Sequence, residues 1–298
     1  AYDMLEKAPR SIHVSYPVRN GVIADIANME TLIDSAFKKV LKTNLRGGYC
    51  LVAVPTDITE VEKKAFYDLV GNSSAKLKGV GIVEKPIAAA LGAGLDITSA
   101  TGVMIVDIGA DTTEISIMSL GGIVISKLIP VGGNKLDESI KMCVKKKYNL
   151  LIGDKTAEYI KKELADAFES EETSVKVYGR NVVTGLPSEM EIGSSMVHDA
   201  ILEYLNTIID NIKMILERTP PEISSDIIDS GIFVTGGSAK IKNIDKLIGQ
   251  ETELTVNVCS NPEDAVINGL GTIIEDSNLK TLATIVSSST NTIKRKIK

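Results

Sequence analysis

One segment of the sequence combines residue types that can hold a phosphate and a divalent cation. An apolar strand, Ile105-Val106, leads to Asp107, and the chain then turns through Gly109-Ala110-Asp111 to Thr112. Backbone N–H groups in such a small-residue turn can be directed at phosphate oxygens. Asp107 could hold a hydrated magnesium ion, which proteins bind through carboxylates and substrate phosphates, with the Thr112 hydroxyl nearby. Asp and Gly also favour turns without any ligand, so an ordinary hairpin is equally consistent with this segment.

A second glycine turn lies much further along the chain. The apolar run 232–235 is typical of a buried strand, and Gly236-Gly237-Ser238-Ala239 follows it before a helix. Glycines at such a position allow a flat ring or a phosphate to approach the main chain. Between the two turns lies a helical segment, Glu158-Tyr159-Ile160-Lys161, whose Glu and Lys could contact a ribose and a base. The second turn alone is a weak signal, and it gains weight only from the first turn and this helix.

The elements around these turns alternate between strand and helix patterns. Apolar periodicity and turn residues predict them. The predicted strands are 49–54, 79–83, 103–107, 114–119, 122–128, 174–178, 181–185, 188–192, 232–235 and 254–259. The predicted helices are 25–40, one that begins after Thr59, 87–94, 136–148, 155–168, 196–218, 241–249 and 262–274. This alternation predicts an α/β fold in two halves, each with a glycine turn after a strand.

The composition excludes several classes of protein. With 298 residues, 44% of them hydrophobic, the chain has enough apolar material for two lobes. A formal net charge of -6 argues against a general nucleic-acid binder, and we expect no nucleic-acid partner. Three separated cysteines and two histidines indicate neither a disulfide framework nor a zinc site. Apolar runs are far shorter than the about 20 residues that a membrane span needs, so we predict a cytoplasmic protein.

Several longer blocks, taken in their order, resemble the MreB-type bacterial actins over nearly the whole chain. The matching blocks are 20–25, 54–62, 86–94, 119–124, 146–153, 183–187 and 226–231. The resemblance implies an actin-like fold, in which two ribonuclease-H-like lobes, each with a small inserted subdomain, hold ATP and Mg²⁺ between them. It also implies assembly with copies of itself into paired protofilaments that lie against the inner membrane and help to set cell shape.

The resemblance also assigns boundaries and contacts. Residues 1–100 are the remainder of lobe one (subdomain IA and the end of IB), 101–168 and 194–260 are subdomain IIA of lobe two, 169–193 are the inserted subdomain IIB, and 261–298 return to lobe one and end in a basic tail. The opening strands of lobe one, with their phosphate loop, are absent from this sequence, so we expect it to be a fragment of the gene product. The expected nucleotide contacts are Gly109, Ala110, Asp111, Gly132, Gly133, Glu158, Tyr159, Ile160, Lys161, Gly236, Gly237, Ser238 and Ala239.

Two residues depart from the family pattern. The residue before Pro86 is normally acidic and, on the resemblance, orients the attacking water, but here it is Lys85. An ammonium group has no acceptor, so it cannot align water in that way. The hairpin turn carries Asp111 where glycine is usual, and a carboxylate beside the γ-phosphate is repulsive unless a cation balances it. We hypothesise that Lys85 and Asp111 compensate each other, preserving binding and slowing hydrolysis. Glu84 is a less suitable acid, because neighbouring strand residues face opposite ways.

Contact with a membrane surface is weakly indicated. In the family a lobe-one loop with paired apolar residues enters the bilayer, and the matching stretch 42–49 offers only Leu45. The basic tail 294–298 could add an electrostatic contact worth about 1 kcal/mol per charge at an anionic leaflet. A solvated terminus explains the same residues equally well.

Two other functions fit the same fold. A sugar-kinase-type enzyme, or another efficient ATP-hydrolysing enzyme, predicts an aspartate base in the cleft, and the only candidate is Asp107, which is already assigned to magnesium. A chaperone-type ATPase would need a further peptide-binding domain, and we expect none in a chain of this length.

Overall fold

A computed structural model describes residues 4–5, 7–9, 11–40, 48–75, 77–168 and 171–285. The described residues belong to two compact units. The first unit is drawn from Ala1–Ala100, Met118–Ile123 and Asp264–Lys298, and the second from Thr101–Ile117 and Val124–Glu263. The chain therefore leaves the first unit and later returns to it.

Strands and helices alternate along most of the chain. The strands are β1 (Val18–Arg19), β2 (Val22–Ile23), β3 (Tyr49–Val54), β4 (Gly79–Glu84), β5 (Val103–Ile108), β6 (Thr113–Ser119), β7 (Gly122–Ile129), β8 (Leu150–Leu151), β9 (Ser174–Asn181), β10 (Pro187–Gly193), β11 (Ile232–Thr235), β12 (Val256–Val258) and β13 (Thr284–Ile285). The helices are α1 (Ile26–Val40), α2 (Glu60–Gly71), α3 (Lys85–Gly92), α4 (Gly133–Tyr148), α5 (Asp154–Leu164), α6 (Ser194–Glu217), α7 (Pro221–Ser230), α8 (Ile244–Thr252) and α9 (Ala265–Glu275). The α/β class predicted from the sequence is confirmed.

The first unit is built on a three-stranded sheet in the order β13-β4-β3, in which β3 and β4 are parallel and β13 is antiparallel to β4. Helix α2 follows β3 and begins as the sequence predicts. The Thr59 side chain accepts a bond from the Glu62 N–H, and the Glu62 carboxylate accepts one from the Thr59 N–H. This reciprocal pair satisfies donors that a helix start leaves open.

The second unit is built around a five-stranded sheet in the order β12-β11-β5-β6-β7, with β5, β11 and β12 parallel. Every residue of β5 is buried, as expected for a central strand of a covered sheet. Helix α6 carries a long apolar face, including the buried Ile201, Ile208 and Ile212, into the same core as β5 and α4. A small three-stranded sheet in the order β10-β9-β8 is the second sheet of this unit, and its buried residues Leu150, Val177 and Ile192 belong to the same core.

Three details differ from the sequence-based expectations. The predicted separate strand 181–185 is not formed, because Asn181 ends β9 and its side chain accepts bonds from the N–H groups of Val183 and Thr184 in the turn that follows, so β9 and β10 form one hairpin. The long helix α6 ends at Glu217, close to the predicted residue 218, but the sequence did not predict α7, which begins at Pro221 because proline is well tolerated in a first helical turn. The predicted helix 155–168 ends at Leu164.

The residues predicted to contact a membrane are not among those that the structure describes. Leu45 and the basic tail 294–298 lie outside the described residues. Within the described ranges, none of the helices is both long enough and apolar enough to cross a bilayer.

Helices α3 and α9 of the first unit touch through their backbones. A Cβ atom added at Gly92 would lie 1.7 Å from the carbonyl oxygen of Ala265, and one added at Gly269 would lie 1.8 Å from that of Ala88. The two glycines therefore face each other's helices across a seam that has no room for a side chain. This seam fixes α9 against the helix that follows β4.

We predict that Gly269→Ala destabilises the protein by at least about 3 kcal/mol, because the new methyl group meets a backbone oxygen that cannot rotate away. Gly271→Ala is the matched control on the same helix, since nothing outside that helix lies within 4 Å of a Cβ atom there. The control should gain up to about 1 kcal/mol from helix propensity. Urea unfolding of both variants measures the difference, and equal midpoints would show that the seam opens freely.

Candidate functional site

The two glycine turns begin at the same edge of the five-stranded sheet. Strands β5 and β11 are parallel, and Asp107 and Thr235 are register partners at their carboxyl ends. The hairpin turn (residues 109–112) follows β5, and the second turn (residues 236–239) follows β11. Ligands of open α/β sheets bind outside the carboxyl ends of strands. The structure thus brings together two segments that are far apart in the sequence.

Gly236 permits the close contact between the two turns. Its φ is +87°, and a Cβ atom there would lie 2.3 Å from the Ile108 carbonyl oxygen and 2.5 Å from Asp107 Oδ1. Only a residue without a side chain fits at such a place without strain. Asp107 is 3% exposed, so the turn at Gly236 helps to cover its carboxylate.

The first turn of α4 is bound to the hairpin turn. The N–H groups of Gly133 and Asn134 donate to the carbonyl oxygens of Gly109 (3.0 Å) and Ala110 (2.7 Å). The Asn134 side-chain amide donates to Asp111 Oδ1 at 2.6 Å, so it holds the unusual carboxylate of the hairpin turn. Because the N-terminus of a helix carries a partial positive charge, the first turn of α4 places positive potential beside this turn.

Ser238 and Thr112 complete the polar contents of this edge. The Ser238 hydroxyl donates to the Gly109 carbonyl oxygen at 3.2 Å and so joins the second turn to the hairpin turn. Thr112 and Ser238 are 6% and 8% exposed, and Ala239 is buried beside them. A Cβ atom at Gly132 would lie 2.6 Å from the Ala110 carbonyl oxygen, which shows how closely the chain before α4 approaches the hairpin turn.

Helix α5 reaches the first turn of α4 through Lys161. The Lys161 ammonium donates to Asp137 Oδ2 at 2.8 Å and to the Gly133 carbonyl oxygen at 2.9 Å. Both side chains of the ion pair are largely buried, with 13% and 12% exposed. Burial raises the pKa of Asp137 above its ordinary value, while the Lys161 charge opposes that shift. Asp137 was missed in the sequence analysis, although its spacing from Gly133, one helical turn, could have indicated it.

The other predicted residues of α5 differ in their surroundings. Glu158 forms an ion pair with Lys162 at 2.6 Å, one turn further along the helix. Tyr159 is 47% exposed, whereas Ile160 is fully buried in the hydrophobic core. The side chain of Ile160 therefore packs α5 against the hydrophobic core. Glu158 and Lys161 belong to the polar face of this helix.

Glu84 and Lys85 lie in the first unit. Glu84 is the last residue of β4 and the N-cap of α3, and Lys85 is the first residue of that helix. The alternation of side chains along a strand therefore does not apply between them, and the sequence-based reason for setting Glu84 aside is wrong. Both residues are partly exposed.

Asp107 is the carboxylate at this edge that we assign to magnesium. In the described ranges, no group of three or more His, Cys, Asp or Glu residues could hold a metal ion. Mg²⁺ usually keeps several waters and is held by one or two carboxylates together with substrate phosphates. Asp107 beside a phosphate-binding turn fits that requirement, whereas a cage made of protein ligands alone is not available in the described part of the chain.

Comparison with known proteins shows extensive similarity. A family model described as "MreB/Mbl protein" matches residues 1–282. The chain is 38% identical over 278 residues to the cell shape-determining protein Mbl of Bacillus subtilis, covering 92% of this chain and 82% of Mbl. It is 37% identical over 278 residues to the cell shape-determining protein MreB of Escherichia coli, covering 92% of this chain and 80% of MreB.

Solved structures show the same similarity. A crystal structure of MreB5 of Spiroplasma citri bound to AMPPNP has a TM-score of 0.88 and 37% identity, covering 95% of this chain and 84% of MreB5. The MamK double helical filament has a TM-score of 0.77 at 19% identity, covering 92% of this chain and 84% of MamK. These matches confirm the actin-like fold that the sequence predicts.

Gly236→Ala should destabilise the protein by about 2 to 3 kcal/mol, because the methyl group would need a strained φ and would meet the Ile108 carbonyl oxygen. Gly237→Ala is the neighbouring control, since nothing lies within 4 Å of a Cβ atom there. Its free energy of unfolding should stay within about 1 kcal/mol of the wild type. Chemical unfolding of the two variants checks this, and a stable Gly236→Ala protein would mean that the two turns are not in close contact.

Proposed function

Because this chain belongs to the MreB/Mbl family, we propose that it binds ATP with Mg²⁺ and assembles with copies of itself into cytoskeletal filaments that contribute to cell shape. The observation that carries the nucleotide site is the meeting of the two glycine turns and Asp107 at one sheet edge. MreB5 has been crystallised with AMPPNP and with ADP. The relatives with the highest similarity reported above are named for determining cell shape.

In this proposal, different residues of the second unit contact different parts of the nucleotide. The hairpin turn and the first turn of α4 face the phosphates, with Asp107 on the hydrated Mg²⁺ and Thr112 beside it. Gly237 offers an open stretch of main chain on which the nucleotide can lie, because nothing occupies the space at its Cβ position. Glu158 and Lys161 contact the ribose and the base.

Filament assembly follows from the resemblance to the MreB-type actins, which implies paired protofilaments. We propose that this chain does so in the cytoplasm and that any contact with the inner membrane is weak, since only Leu45 in the sequence stretch 42–49 is suited to insertion.

Hydrolysis is slow in this proposal because of Lys85 and Asp111. Lys85 has no acceptor with which to orient water, and Asp111 places a negative charge in the hairpin turn. The amide of Asn134 is a neutral donor, so it fixes Asp111 Oδ1 without cancelling its charge. The sequence-based hypothesis assigns the compensating positive charge to Lys85. An efficient ATPase or a sugar-kinase-type enzyme would instead require a free acid in the site.

Asp107→Asn should weaken the binding of Mg-ATP at least about tenfold, because an amide is a much poorer magnesium partner than a carboxylate. The loss should be much smaller when EDTA replaces Mg²⁺. Asp229→Asn, an exposed change on α7, serves as the control and should bind like the wild type. Titration with a fluorescent ATP analogue measures affinity, and sedimentation with and without nucleotide measures assembly. Wild-type protein that binds no Mg-ATP would overturn the proposal.

Lys85→Glu combined with Asp111→Gly should raise phosphate release under polymerising conditions by about tenfold or more, since general-base assistance is typically worth 10²–10⁴-fold. Each single variant should show a smaller gain, because each leaves one half of the compensated pair. Release by the wild type at the rate of the double variant would show that another group activates water. The measurement also separates a slow filament protein from an efficient ATPase.

A further inference from the structure

We propose that Asp137 is a positioning residue for nucleotide binding, which holds the Lys161 ammonium over the first turn of α4 so that it meets the base and ribose of a bound purine nucleotide. This inference rests on the proposed ATP site. It assigns a role to a residue that the sequence patterns did not single out. Asp137 acts through Lys161 and does not itself contact the nucleotide.

The geometry limits the ammonium to one direction. Lys161 has three N–H donors, of which one is bound by Asp137 Oδ2 and one by the Gly133 carbonyl oxygen. The third donor is the one that can reach a ligand. The flexible four-carbon side chain of lysine would otherwise let the ammonium sample many positions. Two hydrogen bonds to one helical turn remove most of that conformational freedom.

The same helical turn is bound to the hairpin turn. Gly133 uses its carbonyl oxygen for Lys161 and its N–H for the carbonyl oxygen of Gly109. One residue thus links the lysine that faces the base to the turn that faces the phosphates. In this proposal the ion pair at Asp137 sets the distance between the ammonium that contacts the base and the turn that contacts the phosphates. A displaced ammonium would therefore no longer match the length of the nucleotide.

The surroundings of Asp137 favour a functional role over a stabilising one. Its Oδ1 atom is buried and has no hydrogen-bond partner among the described residues. The charged groups that act on it are Lys161, which attracts it, and Glu158 and Asp154, which repel it, all on α5. An ionised carboxylate in such a place costs stability, as the raised pKa of Asp137 shows. A hydrophobic residue could pack there at lower cost, but it could not hold an ammonium group.

The test uses the full chain with Asp137→Asn, Lys161→Met and the double variant, and Glu138→Gln as a control. Glu138 lies next to Asp137 on α4, but its side chain is 58% exposed and pairs with Lys135. Asp137→Asn should weaken Mg-ATP binding about tenfold, the loss expected when a hydrogen bond to a charged group is removed. The double variant should bind no more weakly than Lys161→Met alone, because Asp137 acts only through the lysine. Asp137→Glu should recover part of the affinity.

A pH profile provides a readout that a merely structural role would not change. The pKa of Asp137 is raised, so the ion pair is complete above that pKa and is lost as the pH falls through it. Wild-type affinity should fall over this interval, whereas that of Asp137→Asn should change less. If an Asp137→Asn chain fails to fold, the profiles of wild type and Asp137→Glu still decide the question.

The outcomes separate the two proposals. Wild type that binds Mg-ATP, with Asp137→Asn binding equally well, would overturn the positioning role and leave the proposed function intact. Losses in Asp137→Asn and Lys161→Met that add fully in the double variant would show that Asp137 acts independently of the lysine, which also overturns it. Wild type that binds no Mg-ATP would overturn the proposed function first.

Discussion

The parallel pairing of β5 with β11 is the constraint on which the site depends. It places Asp107 and Thr235 in register, so the two glycine turns leave the sheet at the same edge. A shift of one residue in that register would turn Asp107 towards the other face of the sheet. Both faces of β5 are buried, so such a shift would force the core to repack on both sides and would also break the alignment of the turns. The core of the second unit and its candidate site are therefore specified by the same pairing.

The start of α4 shows how the site and the scaffold share hydrogen bonds. A helix begins with N–H groups that have no partner within the helix, and no side chain caps this one. Carbonyl oxygens of the hairpin turn accept two of these bonds instead. The hairpin turn is thus the cap of α4, and a change in the turn must alter the helix start as well. A ligand that shifts the turn would consequently shift the start of α4 and, through the bond between Gly133 and Lys161, also affect α5.

The sequence predicted the parts that rest on local patterns. Strand β5, the helix start at Thr59 and the glycine turn after β11 follow from residue type and spacing within a few positions. Helix α7 was missed because two consecutive prolines resemble a stop, whereas the structure uses Pro221 as a start. The strand predicted at 181–185 failed because an asparagine side chain took the hydrogen bonds that a strand would have needed. These errors arose where side-chain and backbone groups compete for the same partners.

Contacts between distant segments were harder to predict. Lys161 was identified as a ligand residue, but its partner Asp137 lies on another helix, and only the packing of α4 against α5 brings the two together. Similarly, Gly236 could be recognised as part of a turn, but not as the residue that touches Asp107. A single sequence contains the residue types of a site, whereas the distances between them depend on the sheet register and on the crossing of helices.

Asp137 illustrates why an unfavourable residue can persist in a folded core. Because its pKa is raised in the folded chain, the folded state binds a proton more readily than the unfolded state does. The free energy of unfolding therefore falls as the pH rises from the ordinary Asp pKa through the raised value, and the ionised carboxylate opposes folding at neutral pH. Removing the charge would relieve that cost, but it would leave the largely buried Lys161 without a counter-ion. The pair is thus retained as a unit, and its contribution is the fixed position of one ammonium group rather than added stability.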